Sequence, residues 1–258
     1  MGCGVMSTNV SLGTQLEWFR SFLAELPESL KYLQRCLVIL GPLGSNDYSY
    51  FQMSGKSSLE DLQLAAPILI RHIGSTIQEL IELGVVTILV PGGSPDGCMP
   101  AMLVLYEKSS TRNDYDPQTG CLDWLNQHLQ HHNHLLQKEL QRIRELHPQV
   151  NIIYGDYYND AVRMYLSPNQ FGLGNQILKA CCGGGGAYNC ELDKKCGTPQ
   201  ATCCRDPAEY ISWDGVHLTE AANRLIAQGL LQGTYTDPPF STICLINSTS
   251  KPRAIAEY

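Results

Sequence analysis

The chain has 258 residues, 43% of them hydrophobic and 17% charged, which argues against disorder and gives enough apolar content for a sizeable core, most simply in one domain. A net charge of −7 with scattered Lys and Arg argues against a nucleic-acid partner, because phosphate binding needs a concentrated basic face. No apolar run approaches the roughly 20 residues of a transmembrane helix; the strongest, Val85 to Val90, has the length of a strand.

The stretch Met1 to Ser7 has neither a basic nor an apolar leader region, and Met6 stands where a myristoylation pattern requires Ser or Thr. It therefore carries no address as written. There are 11 cysteines, an odd number, with Cys181, Cys182, Cys190, Cys196, Cys203 and Cys204 crowded into one stretch. That density points to an oxidising compartment. The sequons Asn9-Val10-Ser11 and Asn247-Ser248-Thr249 agree with secretion. A secreted-type body thus follows a start without a secretion signal.

In chain order, Leu12, Leu16, Phe19, Leu23 and Leu26 recur at alternating spacings of four and three, which predicts a helix over 11–26 ended by Pro27. Cys36 to Leu40 reads as a buried strand closed by Gly41-Pro42. Ser58 opens a helix through Ile68, Ile73, Ile77 and Leu80 that stops at Gly84 and feeds a strand over 85–90. A long helix over 122–146 leads past Pro148 to a third strand over 150–154, and another helix begins near Asp160. The β-α-β-α-β-α order predicts a parallel sheet covered on both faces, with ligands bound beyond the carboxyl ends of its strands.

Between about Lys179 and Pro207, the Gly183 to Gly186 run and its flanking cysteines are too irregular for helix or strand, so a cross-linked loop is expected. A zinc site is the lesser reading, since the Cys-Cys pairs lack Cys-x-x-Cys spacing. Connectivity of the cysteines is left open. His128, His131 and His132 fall at helical spacing, but no carboxylate or cysteine accompanies them. They read as a polar face among Gln127, Gln130 and Gln137 rather than a metal site. Tyr154, Tyr157 and Tyr158 read as packing residues.

The segment with most chemical content is Trp213-Asp214-Gly215-Val216-His217-Leu218-Thr219, with Thr219 placed to cap a following helix through Ala222, Leu225, Ile226 and Leu230. A turn there lets Asp214 reach Nδ1 of His217 and hold the ring so that its other nitrogen can take a proton from a hydroxyl nucleophile. An Asp turn beside an exposed His is the plainer alternative. Gly41-Pro42-Leu43-Gly44-Ser45-Asn46-Asp47 ends the first strand, where a side-chain amide can donate to a developing oxyanion; a strand-ending turn is the plainer alternative here too.

Gly44-Ser45-Asn46-Asp47 resembles the Gly-x-Asn-Asp block of GDSL (SGNH) hydrolases, and Asp214-Gly215-Val216-His217 resembles their Asp-x-x-His block, in family order. The plant branch is further suggested by 9–19, by Asp114 to Cys121 and by Lys179 to Gly186. Within that branch the chain is similar to the sinapine-esterase and acetylajmalan-esterase kind, over about 9–238. The resemblance implies a flavodoxin-like, three-layer α/β/α parallel sheet and cofactor-free hydrolysis of a small-molecule or lipid carboxylic ester through an acyl-enzyme. His217 would be the general base, Asp214 its orienter and Asn46 an oxyanion donor, with Gly44 supporting the turn.

The family's Gly-Asp-Ser block, which supplies the nucleophile, and its second-block Gly are expected upstream of the match and do not occur in this sequence. Ser94, in Gly92-Gly93-Ser94-Pro95-Asp96-Gly97, is a poor substitute because a nucleophile elbow requires Gly where Asp96 stands, and Ser45 is no better. The expectation is one hydrolase domain over 1–258, incomplete at its N-terminus and lacking its first strands. It carries a Cys/Gly-rich loop at 179–207 and a tail at 239–258. Such a chain would hydrolyse esters weakly or not at all by itself. The strand over 36–40 becomes an open edge able to recruit another chain. A non-catalytic binding or interaction module is the alternative.

Overall fold

A computed structural model describes residues 10–53, 59–191 and 193–243. The start Met1 to Ser7, Asn9 of the first sequon, the second sequon, the helix-opening Ser58 and most of the tail lie outside the described residues. In chain order the elements are α1 (Leu12–Glu25), α2 (Ser29–Leu33), β1 (Val38–Ile39), α3 (Ser45–Met53), α4 (Leu59–Glu82), β2 (Thr87–Pro91), α5 (Pro100–Tyr106), α6 (Asp123–Leu146), β3 (Asn151–Gly155), α7 (Tyr157–Leu166), β4 (Cys182–Gly183), β5 (Thr202–Cys203), α8 (Glu220–Leu231), β6 (Thr236–Asp237) and α9 (Phe240–Ile243).

β1, β2, β3 and β6 form one sheet in that order; the first three are parallel and β6 is antiparallel to β3. Period-two alternation assigns the two faces. Ile88, Val90, Ile152 and Tyr154 point into a core with Leu16 and Leu23 of α1, Ile70, Ile73 and Ile77 of α4, and Leu136, Leu140 and Ile143 of α6. Leu89 and Ile153 point the other way, against Phe240. On that side α7 and α8 share a core through Ala161, Met164, Tyr165, Ala222 and Ile226. This is a three-layer α/β/α arrangement, as the sequence predicts, except that the sheet is mixed rather than wholly parallel.

Other differences have local causes. β1 is only two residues long and pairs only with β2 among the described residues, leaving Leu37 40% and Ile39 60% exposed. The strand-ending turn at 44–47 winds directly into α3, where the Tyr48 N–H donates to the Gly44 carbonyl at 2.9 Å. Phe240, in the expected tail, is buried against the sheet. Ser11 caps α1 by accepting from the Thr14 N–H at 3.1 Å, and Thr219 caps α8 by accepting from the Ala222 N–H at 3.2 Å.

Disulfides join Cys98 to Cys121, Cys181 to Cys204 and Cys182 to Cys196; Cys190 is also disulfide-bonded, and Cys36 and Cys203 are free and exposed. The Cys/Gly-rich loop is therefore cross-linked. It also contains a short β4–β5 antiparallel ladder. A Cβ at Gly183 would run into the Asn189 carbonyl, so the crossing there requires glycine. Among the described residues, no group of three His, Cys, Asp or Glu side chains is placed to hold a metal, and no helix is long and apolar enough to cross a membrane.

Candidate active site

The turn before α8 is built by its own side chains. Asp214 Oδ1 accepts from the backbone N–H of Val216 at 3.0 Å and of His217 at 2.8 Å, while Oδ2 lies 2.8 Å from His217 Nδ1. Ser212 Oγ accepts from the Gly215 N–H at 3.0 Å, and Gly215 adopts the left-handed φ of +98° that closes the turn. Asp214 is 3% exposed, whereas the His217 side chain is 73% exposed. Burial raises the Asp214 pKa, but hydrogen bonds from the His217 backbone, its ring and Val216 outweigh that and hold the carboxylate below its usual range. The result is an oriented imidazole whose Nε2 faces outward. No hydroxyl among the described residues bonds to that nitrogen.

The Cys/Gly-rich loop packs behind this turn. Cys181 N–H donates to Ser212 O at 2.9 Å and Cys182 N–H to Trp213 O at 2.7 Å, and both cysteines are in disulfides. On the other side the Ala101 N–H of α5 donates to Gly215 O at 3.0 Å.

Asn46 sits exposed in the first turn of α3. Gly44 precedes it at φ +114°, where a Cβ would crowd Leu69, His132 and Tyr48. Beneath this turn, Tyr48 OH and His132 Nδ1 lie 2.8 Å apart, and the Tyr48 ring meets His128 edge-on at a centroid distance of 4.4 Å. The expected polar histidine face is thereby corrected: His131 is exposed, but His128 and His132 are 1% and 0% exposed and belong to the core beneath α3. Neither ring nitrogen of His128 has a hydrogen-bond partner, nor does His132 Nε2. Burial, followed by repulsion from neighbouring histidines, depresses both pKa values to about 4.

Asn46 and His217 line one cavity of about 410 Å³ with Gly44, Ser45, Ser94 and Tyr157. Asp214 lies behind His217 rather than in the cavity wall. Ser94 Oγ donates to Asp96 Oδ1 at 2.6 Å, so its proton is directed at that carboxylate and not at His217. Asp96 had no role in the sequence reading beyond spoiling an elbow pattern. It is 3% exposed, and burial lifts its pKa to about 6 against hydrogen bonds from Ser94 and Ser45. A Ser-x-Asp spacing at a strand end was the only sequence signal for it.

Comparison with known proteins decides the family. The family model described as GDSL-like Lipase/Acylhydrolase matches residues 5–230. The chain belongs to this family. GDSL relatives include GDSL esterase/lipase At2g27360 of Arabidopsis thaliana, 43% identical over 249 residues, covering 95% of this chain and 63% of the relative. GDSL esterase/lipase At1g28570 of the same plant is 46% identical over 242 residues, covering 92% and 62%. Sinapine esterase of Brassica napus is 43% identical over 249 residues, covering 94% and 64%. The GDSL chain thus spans under two thirds of the length of these curated relatives.

Proposed function

We propose that this chain forms the base and oxyanion side of a carboxylic-ester hydrolase site. His217 acts through Nε2 as general base, Asp214 fixes its tautomer and orientation, and Asn46 donates its amide to the oxyanion, with Gly44 allowing the turn that presents it. The observation that carries the reading is that Asn46 and His217, distant in sequence, line one cavity while Asp214 engages His217 Nδ1 at 2.8 Å. The nucleophile in this reading is the serine of a Gly-Asp-Ser segment, a triplet the 258 residues do not contain. The chain alone is then a weak or inactive hydrolase. Its substrate is a small-molecule or lipid ester, and the name of the relative sinapine esterase supplies one ester to try. Four disulfide-bonded cysteines near the site favour an oxidising, secretory setting.

The test is hydrolysis of p-nitrophenyl butyrate by the 258-residue chain, its His217→Ala variant and a form extended upstream with a Gly-Asp-Ser segment. Turnover by the extended form alone, abolished by His217→Ala in that form, is expected. Turnover by the unextended chain that disappears with His217→Ala would mean that a serine within these residues is the nucleophile. Turnover indifferent to His217 would sink the assignment.

One observation favours a second reading, an interaction module. Among the described residues β1 has an unpaired edge, with Ile39 60% exposed, which would support self-association near Cys36 to Leu40. Sedimentation would show a dimer that Ile39→Lys dissolves; a monomer at all concentrations would remove this reading.

A further inference from the structure

The Cys/Gly-rich loop holds a thiol beside a disulfide. β4 and β5 pair antiparallel, with Cys182 opposite Cys203 and Gly183 opposite Thr202. The Cys204 N–H donates to the Cys181 carbonyl at 2.6 Å and the Cys182 N–H is turned away to Trp213 O, so Cys182 and Cys203 occupy a non-hydrogen-bonded position of the ladder. In that position two α-carbons lie about 4.5 Å apart with their side chains on one face, a separation within the roughly 4.4–6.8 Å that a disulfide spans. Cys182 is nevertheless bonded to Cys196, at a Cα distance of 5.3 Å, and Cys203 is free and exposed. The neighbouring Cys181–Cys204 disulfide belongs to the opposite face of the ladder, away from the Cys203 thiol.

Cys182 is 1% exposed, so a dissolved thiol has little access to its sulfur, whereas Cys203 already lies across the ladder from it. We infer that Cys203 exchanges with the Cys182–Cys196 disulfide and gives the loop a second covalent state. The Cys203 thiol loses its proton to water and the thiolate attacks Cys182 Sγ; the Cys182–Cys203 bond forms, the Cys182–Cys196 bond breaks, and Cys196 leaves as a thiolate that takes up a proton. The number of disulfides is unchanged, and no oxidant or reductant is consumed. Loop closure separates the two pairings by only about twofold, because its cost grows with the logarithm of loop length. The second state releases the segment at Cys196, where Lys194 packs against Gly184, while Cys181–Cys204 and the hydrogen bonds to Ser212 and Trp213 behind His217 stay in place. The free thiol moves from exposed Cys203 to half-buried Cys196. This exchange is independent of the hydrolase reading.

The test is unreduced peptide mapping by mass spectrometry of the 258-residue chain, held without oxygen at pH 8.5 to populate thiolates, then denatured in acid and alkylated with N-ethylmaleimide. After a day, alkylated Cys196 should reach at least about a tenth of alkylated Cys203, accompanied by a Cys182–Cys203 cross-linked peptide. In Cys203→Ser, alkylated Cys196 should fall about tenfold or more below the level in the parent.

Cys196 that stays unalkylated while Cys203 is fully alkylated would overturn the inference, as would equal alkylation of Cys196 in Cys203→Ser, or a thiol liberated at Cys181 or Cys204 in its place. A second variant, Cys196→Ser, leaves Cys182 a thiol opposite Cys203. Oxidised glutathione should then join the two, its disulfide being reduced to two thiols as they give up two electrons and two protons. A folded Cys196→Ser in which both stay thiols, or carry separate glutathione adducts, overturns the inference; if that variant does not fold, the comparison with Cys203→Ser decides.

Discussion

The Asp214–His217 turn and the Asn46 turn reach the same cavity from opposite ends of the chain, but they are held in place by different kinds of contact. The Asp214 and Ser212 side chains shape 212–217 through hydrogen bonds within that segment, and the Cys/Gly-rich loop and α5 then hold its backbone from outside through Ser212, Trp213 and Gly215. Asn46 has no such local frame. Its turn rests on Tyr48 against two buried histidines of α6, and among the described residues the preceding β1 pairs on one side only. Local hydrogen bonds set the shape of the base side, whereas the oxyanion side inherits the state of the core beneath it.

The largest expected effect separates the chemistry of the two sides. In a catalytically complete form, Asp214→Asn keeps an acceptor for the Val216 and His217 N–H groups but sets an amide donor against Nδ1, favouring the wrong tautomer. The expected loss is about 10³- to 10⁴-fold in kcat with little change in KM. Asn46→Ala removes one oxyanion donor and should lose about 10²- to 10³-fold. Steady-state kinetics on both variants checks the order, and a smaller loss from Asp214→Asn than from Asn46→Ala would break the assignment.

Stability offers a matched pair of perturbations. Cys181–Cys204 secures the loop behind His217 and Cys98–Cys121 secures the Asp96 loop, and both close the same sequence separation of 23. Replacing either pair with serine should therefore cost a similar ~3 kcal/mol in chain-entropy terms. The functional consequences should differ. Loss of Cys181–Cys204, whose loop bonds to Ser212 and Trp213 behind His217, should lower kcat in a catalytically complete form about tenfold, whereas loss of Cys98–Cys121 should lower it less. Denaturant titration and steady-state kinetics on the two double variants measure both quantities; equal losses of kcat would erase the distinction between the sides.

The same contrast explains which parts were legible in the sequence. The Asp214 turn, the Thr219 cap and the amphipathic stripe of α8 depend on residues a few positions apart, so spacing alone points to them. The strands over 85–90 and 150–154 are legible for a similar reason, as short apolar runs bounded by turn residues. β6 was not, because two residues, Thr236 and Asp237, carry no periodicity and pair only because the chain returns along β3. α3 was hidden by turn-forming residues that happen to start a helix. The histidines misled because polarity suggests solvent, while His128 and His132 flank the stripe of Leu125, Leu129 and Leu136 and are buried as neutral rings by Tyr48 from a different helix. Asp96 escaped notice because its burial comes from tertiary packing, which a Ser-x-Asp spacing does not reveal.

Buried neutral histidines also give the oxyanion side a pH signature. Their folded pKa values of about 4 lie below the ordinary 6.5, so the unfolded chain takes up protons first as the solution is acidified. The stability they contribute is fully present above about pH 6.5 and is lost as pH falls toward about 4. Asp96 works in the opposite direction: raised to about 6, it contributes stability at low pH that is lost as pH rises from about 4 through 6. His128→Phe isolates the first effect, because His128 makes no hydrogen bond and a phenyl ring can keep the edge-on contact with Tyr48. The variant should lie within ~1 kcal/mol of the parent at pH 7.5 and gain on the order of 2 kcal/mol relative to it at pH 5. Urea unfolding at the two pH values measures the difference. An identical offset at both would show that His128 titrates normally and that the core under Asn46 is open to water.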